Sequence, residues 1–297
     1  MTRALATIAV LLAVAPAAAQ QRSLPGAPGQ ALAAVDTLVA RGRLQEAAWA
    51  AREAGDTARA ERLLARLDTL LRAAPLDARP LAIEDQGVSY TFRLRHGGGV
   101  ESIFKVDGSD IFCASCGASR EVAVYRIDQL LGLDLAPMTV FRTLVRDGDT
   151  LRGSAMYFVH GALRPADLGR RKPDRLRLLD AIVGNSDRHG SNWLVRDDGS
   201  VVAIDHNRSF DYRPSTRTKT CWETEVDSLA APGDRGPAFE RYRTLPGDSL
   251  AAAVAGVLEQ ELAERFVAMR DRIVDRVLRR AREPARPLPR SDCPWEP

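Results

Sequence analysis

One polar stretch, Gly184 to Phe210, constrains this chain more than any other part of its sequence. It reads GNSDRHGSNWLVRDDGSVVAIDHNRSF and holds four aspartates, three asparagines and two of the chain's four histidines. Two apolar segments, WLVR and VVAI, flank Asp198-Gly199, which is a favoured sequence for a two-residue type I′ hairpin turn. The stretch therefore predicts a β-hairpin whose polar groups gather at its open end.

The predicted register of this hairpin brings two oxygen donors together. Symmetric pairing about the Asp-Gly turn sets Asn192 against Asp205, and directly opposed residues have Cβ atoms about 5 Å apart. An amide oxygen and a carboxylate at that separation suit Mg²⁺ or Mn²⁺, particularly an ion that shares its shell with phosphates. The alternative is a solvated, Asp-rich hairpin with caps at either end, and the pairing with Asp205 argues against it.

Three further residues extend the hairpin into a candidate phosphate site. Asp187 precedes Asn192 by five residues, which is the spacing of a catalytic loop whose Asp takes the proton of an attacking hydroxyl and whose Asn holds metal. Lys105 ends the apolar strand SIFKV, and Glu121 opens the helix REVAVYRIDQLLG. Alone, Lys105 is typical of a solvent-facing lysine on a strand, and Glu121 is typical of an acid in the first turn of a helix. The order Lys, Glu, Asp-x-x-x-x-Asn, Asp is the layout that clamps nucleotide phosphates.

The N terminus has the pattern of a secretory signal peptide. Arg3 precedes an apolar run from Ala4 to Val14, and a small-residue cleavage pattern ends at Ala19. This run is shorter than the roughly 20 residues that span a bilayer, so cleavage after Ala19 is favoured over an uncleaved anchor. The sequence therefore predicts a secreted or periplasmic protein.

Export changes the interpretation of the four cysteines, because an oxidising compartment favours disulfides. Three pairings are open, and the simplest joins Cys113 to Cys116 and Cys221 to Cys293. A redox dithiol or half of a zinc site are the alternatives for the C-x-x-C pair. Neither a second C-x-x-C nor a thioredoxin-like context accompanies it, so a structural disulfide is favoured.

Charge and periodicity describe the rest of the chain. A formal net charge of +3 over 297 residues, with basic residues interleaved with acids along the helices, argues against a nucleic-acid partner. The part from about residue 31 to 74 predicts two or three amphipathic helices, with Asp56 or Thr57 as an N-cap. An accessory hairpin packed on the main domain is favoured over a repeat array, which needs about three repeats. A small sheet and one helix follow, with Ser119 as candidate N-cap and Gly132 as stop, and then a helix-rich part.

These motifs resemble those of a known group of enzymes. DAIVGNSDRHGSNWLV and VVAIDHNRSF resemble the G-N-x-D-R-H-x-x-N and I-D-H/N segments of the atypical kinases, which include the secretory-pathway casein kinases (the Four-jointed group), HipA-type bacterial kinases and phosphoinositide kinases. GVSYTFRLRHGGGVESIFKV and REVAVYRIDQLLGLDLAPMTV resemble strand and helix motifs of the secretory-pathway branch. The resemblance covers about residues 84–215, with Ser89 and Val106 departing from its pattern and Asn192 following the HipA and phosphoinositide kinase version.

The resemblance implies an α+β, two-lobed protein-kinase-like fold with an N-terminal helical extension. It implies transfer of the γ-phosphoryl group of ATP to a hydroxyl of a protein, with sugar or lipid hydroxyls as alternatives. Lys105 would bind phosphates, Glu121 would pair with it or with metal, Asp187 would be the base, and Asn192 and Asp205 would hold Mg²⁺ or Mn²⁺. A nucleotide-binding pseudokinase scaffold and an AMP transferase on the same fold are the alternative functions.

The sequence also divides the chain into segments and indicates roles for its remaining polar groups. We predict a signal peptide at 1–19, a linker and helical extension at 20–80, and a kinase-like domain at 81–297, with lobes at about 81–160 and 161–297. HGGG aligns with a strand turn and is not expected to cradle phosphate. His189, His206 and Arg188 are expected to support the catalytic loop by hydrogen bonding.

Overall fold

The chain folds into helices and strands arranged in two lobes. This computed structural model describes residues 28–77, 80–82, 90–109, 117–164, 172–185, 187–210, 226–227, 229 and 236–283. The elements are α1 (Pro28–Ala40), α2 (Leu44–Glu53), α3 (Thr57–Ala73), β1 (Leu81–Ala82), β2 (Thr91–Arg95), β3 (Glu101–Val106), α4 (Ala118–Leu131), β4 (Thr139–Arg146), β5 (Asp149–Tyr157), α5 (Asp174–Val183), β6 (Trp193–Val195), β7 (Val201–Ala203), α6 (Pro237–Thr244), α7 (Gly247–Val254) and α8 (Gln260–Arg280).

Several predictions from the sequence fall outside the described residues. These are the signal peptide, all four cysteines with their pairings, and Ser89. Within the described ranges, no helix is long and apolar enough to serve as a membrane span.

A five-stranded antiparallel sheet, in the order β1-β2-β3-β5-β4, forms the first lobe. Phe104 lies opposite Phe92 on one neighbouring strand and opposite Ala155 on the other, and all three are buried. Successive side chains of a strand point to opposite faces, so Lys105 projects from the face opposite to Phe104. The sheet therefore has an apolar face and a face that carries the candidate phosphate-binding lysine.

Helix α3 packs on β4 and β5, α2 packs against α3, and α1 packs against α2. The spacing of Leu63, Leu67 and Leu71 makes one buried stripe along α3, and the Asp56 side chain caps that helix by accepting a hydrogen bond from Arg59 N at 3.0 Å. The helices and the sheet form one hydrophobic cluster. The extension thus packs directly on the sheet, as the accessory-hairpin interpretation predicts.

The turn between α1 and α2 contacts the glycine turn between β2 and β3. Gly42 has a φ of +73°, and a Cβ built on it would lie 2.5 Å from Gly98 O. A residue with a side chain would therefore meet both backbone strain and a collision at this position. The glycine turn is held by the extension at the end of β3 remote from Lys105, consistent with HGGG being a strand turn.

Helix α4 lies between the two lobes and has no exposed residue along its length. It contacts β4 and β5 on one side and α5, α6 and α7 on the other. It ends at Gly132, which adopts the left-handed conformation, as predicted. The prediction of Ser119 as N-cap is wrong: Gly117 holds that position, and Asp107 at the end of β3 accepts the hydrogen bond of Ala118 N at 3.0 Å.

The second lobe contains α5, the β6–β7 hairpin and helices α6, α7 and α8. Its core is continuous with the buried face of α4 and includes Phe210 and Phe266, whose rings meet edge to face at 5.4 Å. The long helix α8 buries Phe266, Met269, Ile273 and Val277, a stripe with helical spacing.

The hairpin register differs by one residue from the prediction. Trp193 lies opposite Ala203 and Val195 opposite Val201, because the loop has three residues: Gly199 N donates to Arg196 O at 2.9 Å, and Gly199 has a φ of +83°. A type I turn followed by a left-handed glycine is the usual geometry of three-residue hairpin loops. The predicted opposition of Asn192 to Asp205 is therefore wrong, and Asn192 O instead accepts from Ile204 N at 3.1 Å.

Candidate active site

Lys105 lies at the centre of the site and contacts two carboxylates. Its Nζ is 2.8 Å from Glu121 Oε1 and 2.7 Å from Asp205 Oδ1. Strand β3 supplies the lysine, α4 supplies the glutamate, and the residues after β7 supply the aspartate. Three elements that are distant in sequence therefore meet at one ammonium group.

This contact changes the ionisation of its members. Burial lowers the pKa of Lys105, but the carboxylates of Glu121 and Asp205 outweigh burial and raise that pKa above its usual value. Burial likewise raises the pKa of Asp205, and the neighbouring Lys105 ammonium outweighs it and holds that pKa below its usual value. The lysine and this aspartate are therefore both charged at neutral pH.

Asp205 adopts an unusual backbone conformation at the point where β7 ends. Its φ is +60°, in the left-handed region that few non-glycine residues occupy. The next amide, His206 N, donates to Glu121 Oε2 at 3.1 Å. Glu121 thus uses one carboxylate oxygen for Lys105 and the other for the backbone that follows Asp205, which keeps the strained residue in place.

Arg188 and His206 form a buried support beneath these groups. Arg188 pairs with Asp180 at 3.1 Å and donates to the carbonyl oxygens of Asn192 and Ile204. Its guanidinium also contacts His206 Nδ1 at 2.9 Å, while His206 Nε2 lies 3.1 Å from Ala203 O. Burial and the Arg188 charge lower the pKa of His206 to about 3, so the imidazole is neutral.

Asp187 and Asn192 are joined through the backbone of the loop. Asn192 Nδ2 donates to Asp187 O at 2.7 Å, which fixes the orientation of the buried amide. Burial raises the pKa of Asp187, and the Arg208 guanidinium partly offsets that effect. The predicted residues thus form two groups: Lys105 with its carboxylates, and this loop pair, connected by the support around Arg188.

Two arginines of the site were not predicted from the sequence. Arg208 Nε lies 3.7 Å from Asp187 Oδ2, and Arg120, buried in α4, donates to Ser209 O at 2.6 Å. In the sequence, only their positions could have indicated these arginines: Arg208 follows Asp205 by three residues, and Arg120 directly precedes Glu121. Neither spacing predicts a contact, because both depend on how the chain turns after β7.

The donor set of the site suits a hard divalent cation that takes its remaining ligands from phosphates and water. Asp205 offers a carboxylate and Asn192 an amide oxygen, and hard oxygen donors are the ligands that Mg²⁺ and Mn²⁺ prefer. In the described part of the chain, no group of three or more His, Cys, Asp or Glu residues is placed to enclose a metal ion. The chemistry of these two donors therefore matches that of a metal ion shared with phosphates.

Comparison with known proteins identifies the type of fold. Residues 171–226 match the family model of phosphatidylinositol 3- and 4-kinases, which is less than half of the chain. The structure is similar to a crystal structure of the Golgi casein kinase with Mn and ADP bound, with a TM-score of 0.54 and 14% identity, covering 75% of this chain and 77% of that one. The fold is kinase-like.

A second solved structure shows the same fold. Hydra Fam20 with sugar matches at a TM-score of 0.52 and 12% identity, covering 74% of this chain and 89% of that one. No curated protein matches the sequence significantly. At these identities the likeness establishes a two-lobed α+β kinase-like fold, as the sequence predicts.

Proposed function

We propose that this protein is an exported phosphotransferase that moves the γ-phosphoryl group of ATP to a hydroxyl of a protein substrate, with Mg²⁺ or Mn²⁺. The observation that carries the proposal is the double contact of Lys105 with Glu121 and Asp205, 2.8 and 2.7 Å away. A kinase needs this lysine for nucleotide phosphates and this aspartate for metal. The Mn and ADP in the similar Golgi casein kinase support the choice of cofactors.

The proposed residues have separate roles in phosphoryl transfer. Lys105, held by Glu121, binds the phosphates, and Asp187 accepts the proton of the acceptor hydroxyl. The hydroxyl oxygen forms a bond to the γ-phosphorus while the bond from phosphorus to the β–γ bridging oxygen breaks, so that ADP leaves with the electron pair. Most of the rate enhancement then comes from positioning and charge neutralisation.

Asn192 and Asp205 would hold the divalent cation. When bound, Mg²⁺ or Mn²⁺ supplies positive charge that neutralises phosphate oxygens. The chain's own contribution is orientation: Asn192 is fixed by its hydrogen bond to Asp187 O, and Asp205 by its position between Lys105 and the backbone held by Glu121. Both supports act before any ligand arrives, which favours a preorganised site.

The test uses ATP labelled at either the α or the γ phosphate. Purified protein is incubated with Mn²⁺ or Mg²⁺ and a mixed protein acceptor such as casein, beside Asp187→Ala and Asp205→Ala. We expect label from the γ position to reach the acceptor with wild type and to fall at least a hundredfold in both variants.

Other outcomes identify the alternatives. Label transferred from the α position indicates an AMP transferase, and nucleotide binding without transfer indicates a pseudokinase scaffold. A wild-type protein that neither binds nor transfers nucleotide overturns the proposal altogether. Transfer that survives Asp187→Ala at the wild-type rate removes Asp187 as the base.

A further inference from the structure

Helix α2 of the N-terminal extension reaches the connector between α4 and β4, residues 132–138. Gln45 lies fully buried on α2. Its side-chain oxygen accepts from Met138 N at 2.6 Å, and its nitrogen donates to Ala136 O at 3.3 Å. One side chain therefore satisfies two backbone groups of the connector that would otherwise be buried without partners.

The connector is also hydrogen-bonded to α4 and to β7. Leu135, between α4 and the residues bound by Gln45, donates its amide to the buried Asp128 carboxylate at 3.0 Å. Its carbonyl oxygen accepts from Ala203 N of β7 at 2.9 Å. The connector is thus hydrogen-bonded to α2, α4 and β7.

This chain of contacts ends at the candidate active site. Ala203 is the last residue of β7, and Asp205 follows two residues later in its left-handed conformation. The amide of His206, just beyond, is bound by Glu121. A shift of the connector away from Gln45 would therefore move β7 and the backbone on which the Asp205 carboxylate is mounted.

We propose that Gln45 is a positioning residue, which acts through the connector and β7 to set the position of Asp205 relative to Lys105 and Glu121. The inference rests on the proposed function for its catalytic meaning, although its structural part is independent of that function. It assigns the N-terminal extension a role in the site: from the apolar side of the sheet, the extension keeps Asp205, one of the proposed metal ligands, in position.

Other contacts of α2 point the same way. Arg52 contacts Asp134 and donates to Gln129 Oε1 at 3.0 Å, at the end of α4 and the start of the connector. Trp49 packs under the guanidinium of Arg196, 5.1 Å from the ring centroid, at the turn of the β6–β7 hairpin. The helix therefore contacts the connector and the hairpin together, the two segments that Gln45 is proposed to couple.

The experiment compares Gln45→Met with a matched variant, Arg142→Met. Arg142 also binds the extension to the sheet through buried hydrogen bonds, to Leu71 O at 2.7 Å and Ala74 O at 2.8 Å, but it contacts the end of α3 and not the connector. Both variants should lower thermal stability. Hydrogen exchange of backbone amides is measured in each at a temperature where the protein remains folded.

The proposal expects exchange at Met138, Ala203 and His206 to be at least tenfold faster in Gln45→Met and close to wild type in Arg142→Met. If the acceleration stops at Met138, or if both variants accelerate Ala203 and His206 equally, the proposal is overturned. Should Gln45→Met fail to fold, Gln45→Glu keeps the oxygen that faces Met138 N but loses the donor to Ala136 O, and it is expected to accelerate exchange at the same three amides.

Binding of ADP with and without Mn²⁺ supplies the second readout. We expect Gln45→Met to leave ADP affinity without metal unchanged and to reduce the gain in affinity on adding Mn²⁺ at least fivefold, with no reduction in Arg142→Met. An unchanged gain in Gln45→Met contradicts the positioning role. If the wild-type protein binds no ADP, the proposed function fails, and the exchange result alone then decides whether Gln45 positions β7.

Discussion

Glu121 shows how much a single side chain can do when both of its oxygens are used. One oxygen binds the Lys105 ammonium, and the other binds the backbone amide of His206, next to Asp205. The glutamate is almost fully buried, so its charge is stabilised by these partners and not by water. Removing the cation from this cluster should therefore affect stability as well as activity.

Lys105→Met should lower the free energy of unfolding by about 2 to 3 kcal/mol at pH 7.5, because it leaves a buried glutamate without its cation. The Asp205 side chain is about a third exposed, which limits its share of the loss. The loss should shrink at pH 5, because burial raises the pKa of the Asp205 carboxyl and Lys105 no longer offsets that effect. Urea unfolding at both pH values measures it, with Lys105→Arg as the charge-preserving control. Equal stability of Lys105→Met and wild type at pH 7.5 would contradict the pairing.

The pH dependence of transfer should report on Asp187. A base must be ionised, and burial raises its pKa, so the rate should rise with pH through a region above the usual range of aspartate. Arg208 lowers that pKa, and Arg208→Gln should therefore move the acid limb of the kcat/KM profile to higher pH.

The control for this shift is Arg243→Gln, which removes an exposed arginine paired with Glu240 on α6. It should leave the profile in place. A shift of the acid limb to lower pH in Arg208→Gln, or no shift, would show that Arg208 does not act on the base.

At the scale of elements, the sequence predicted the type of each secondary-structure element better than the register of paired strands. The N-cap of α3, the end of α4 at Gly132 and the hairpin itself are encoded locally, by caps, glycines and alternation. The hairpin register was wrong by one residue, because Asp198-Gly199 is compatible with both a two-residue and a three-residue loop. In the three-residue loop, Asp198 accepts a hydrogen bond from Ser200 N at 2.8 Å.

The five proposed site residues illustrate the same limit. Their identities and order could be read from the sequence, but the contacts that hold them could not. Arg208 beside Asp187, and Gln45 behind the connector, come from parts of the chain whose spacing carries no signal. Such contacts depend on tertiary packing, which one sequence does not display.

The turn between α1 and α2 offers a matched test of element packing. Gly42 and Gly55 have similar positive φ values, +73° and +82°, but only Gly42 faces another backbone, with Gly98 O 2.5 Å from its virtual Cβ. Gly55→Ala should cost about 1 kcal/mol, from the left-handed backbone alone. Gly42→Ala should cost at least about 2 kcal/mol more, because the turn must move away from the sheet. Chemical denaturation of both variants measures the difference, and equal losses would show that this contact is not tight.

At the scale of the whole molecule, the extension and the sheet share one core. Trp49, Leu67, Phe104 and Tyr157 belong to the same cluster, and Tyr157 OH also donates to the buried Glu46 at 2.6 Å. The sequence suggested an accessory segment packed on a domain. The structure gives the segment a larger part, because its helices and the buried residues of the sheet form one hydrophobic cluster.

Deletion of residues 20–74 should therefore prevent folding of the remainder. It would expose the buried face that Phe92, Phe104 and Tyr157 contribute to, and an apolar surface of that kind favours aggregation. The extension and the sheet of the full chain should unfold together in one transition. Tryptophan fluorescence and circular dichroism measure this transition. A soluble, cooperatively folded fragment would show that the extension is dispensable for the fold.

The enclosure of α4 has a consequence for how such a protein could be controlled. The helix has no exposed residue, and it packs on the sheet and on the second lobe at once. Swinging it outward would open both hydrophobic cores and break the hold of Glu121 on Lys105. We therefore expect α4 to keep one position, and any control of the proposed transfer to come from the supply of nucleotide and acceptor.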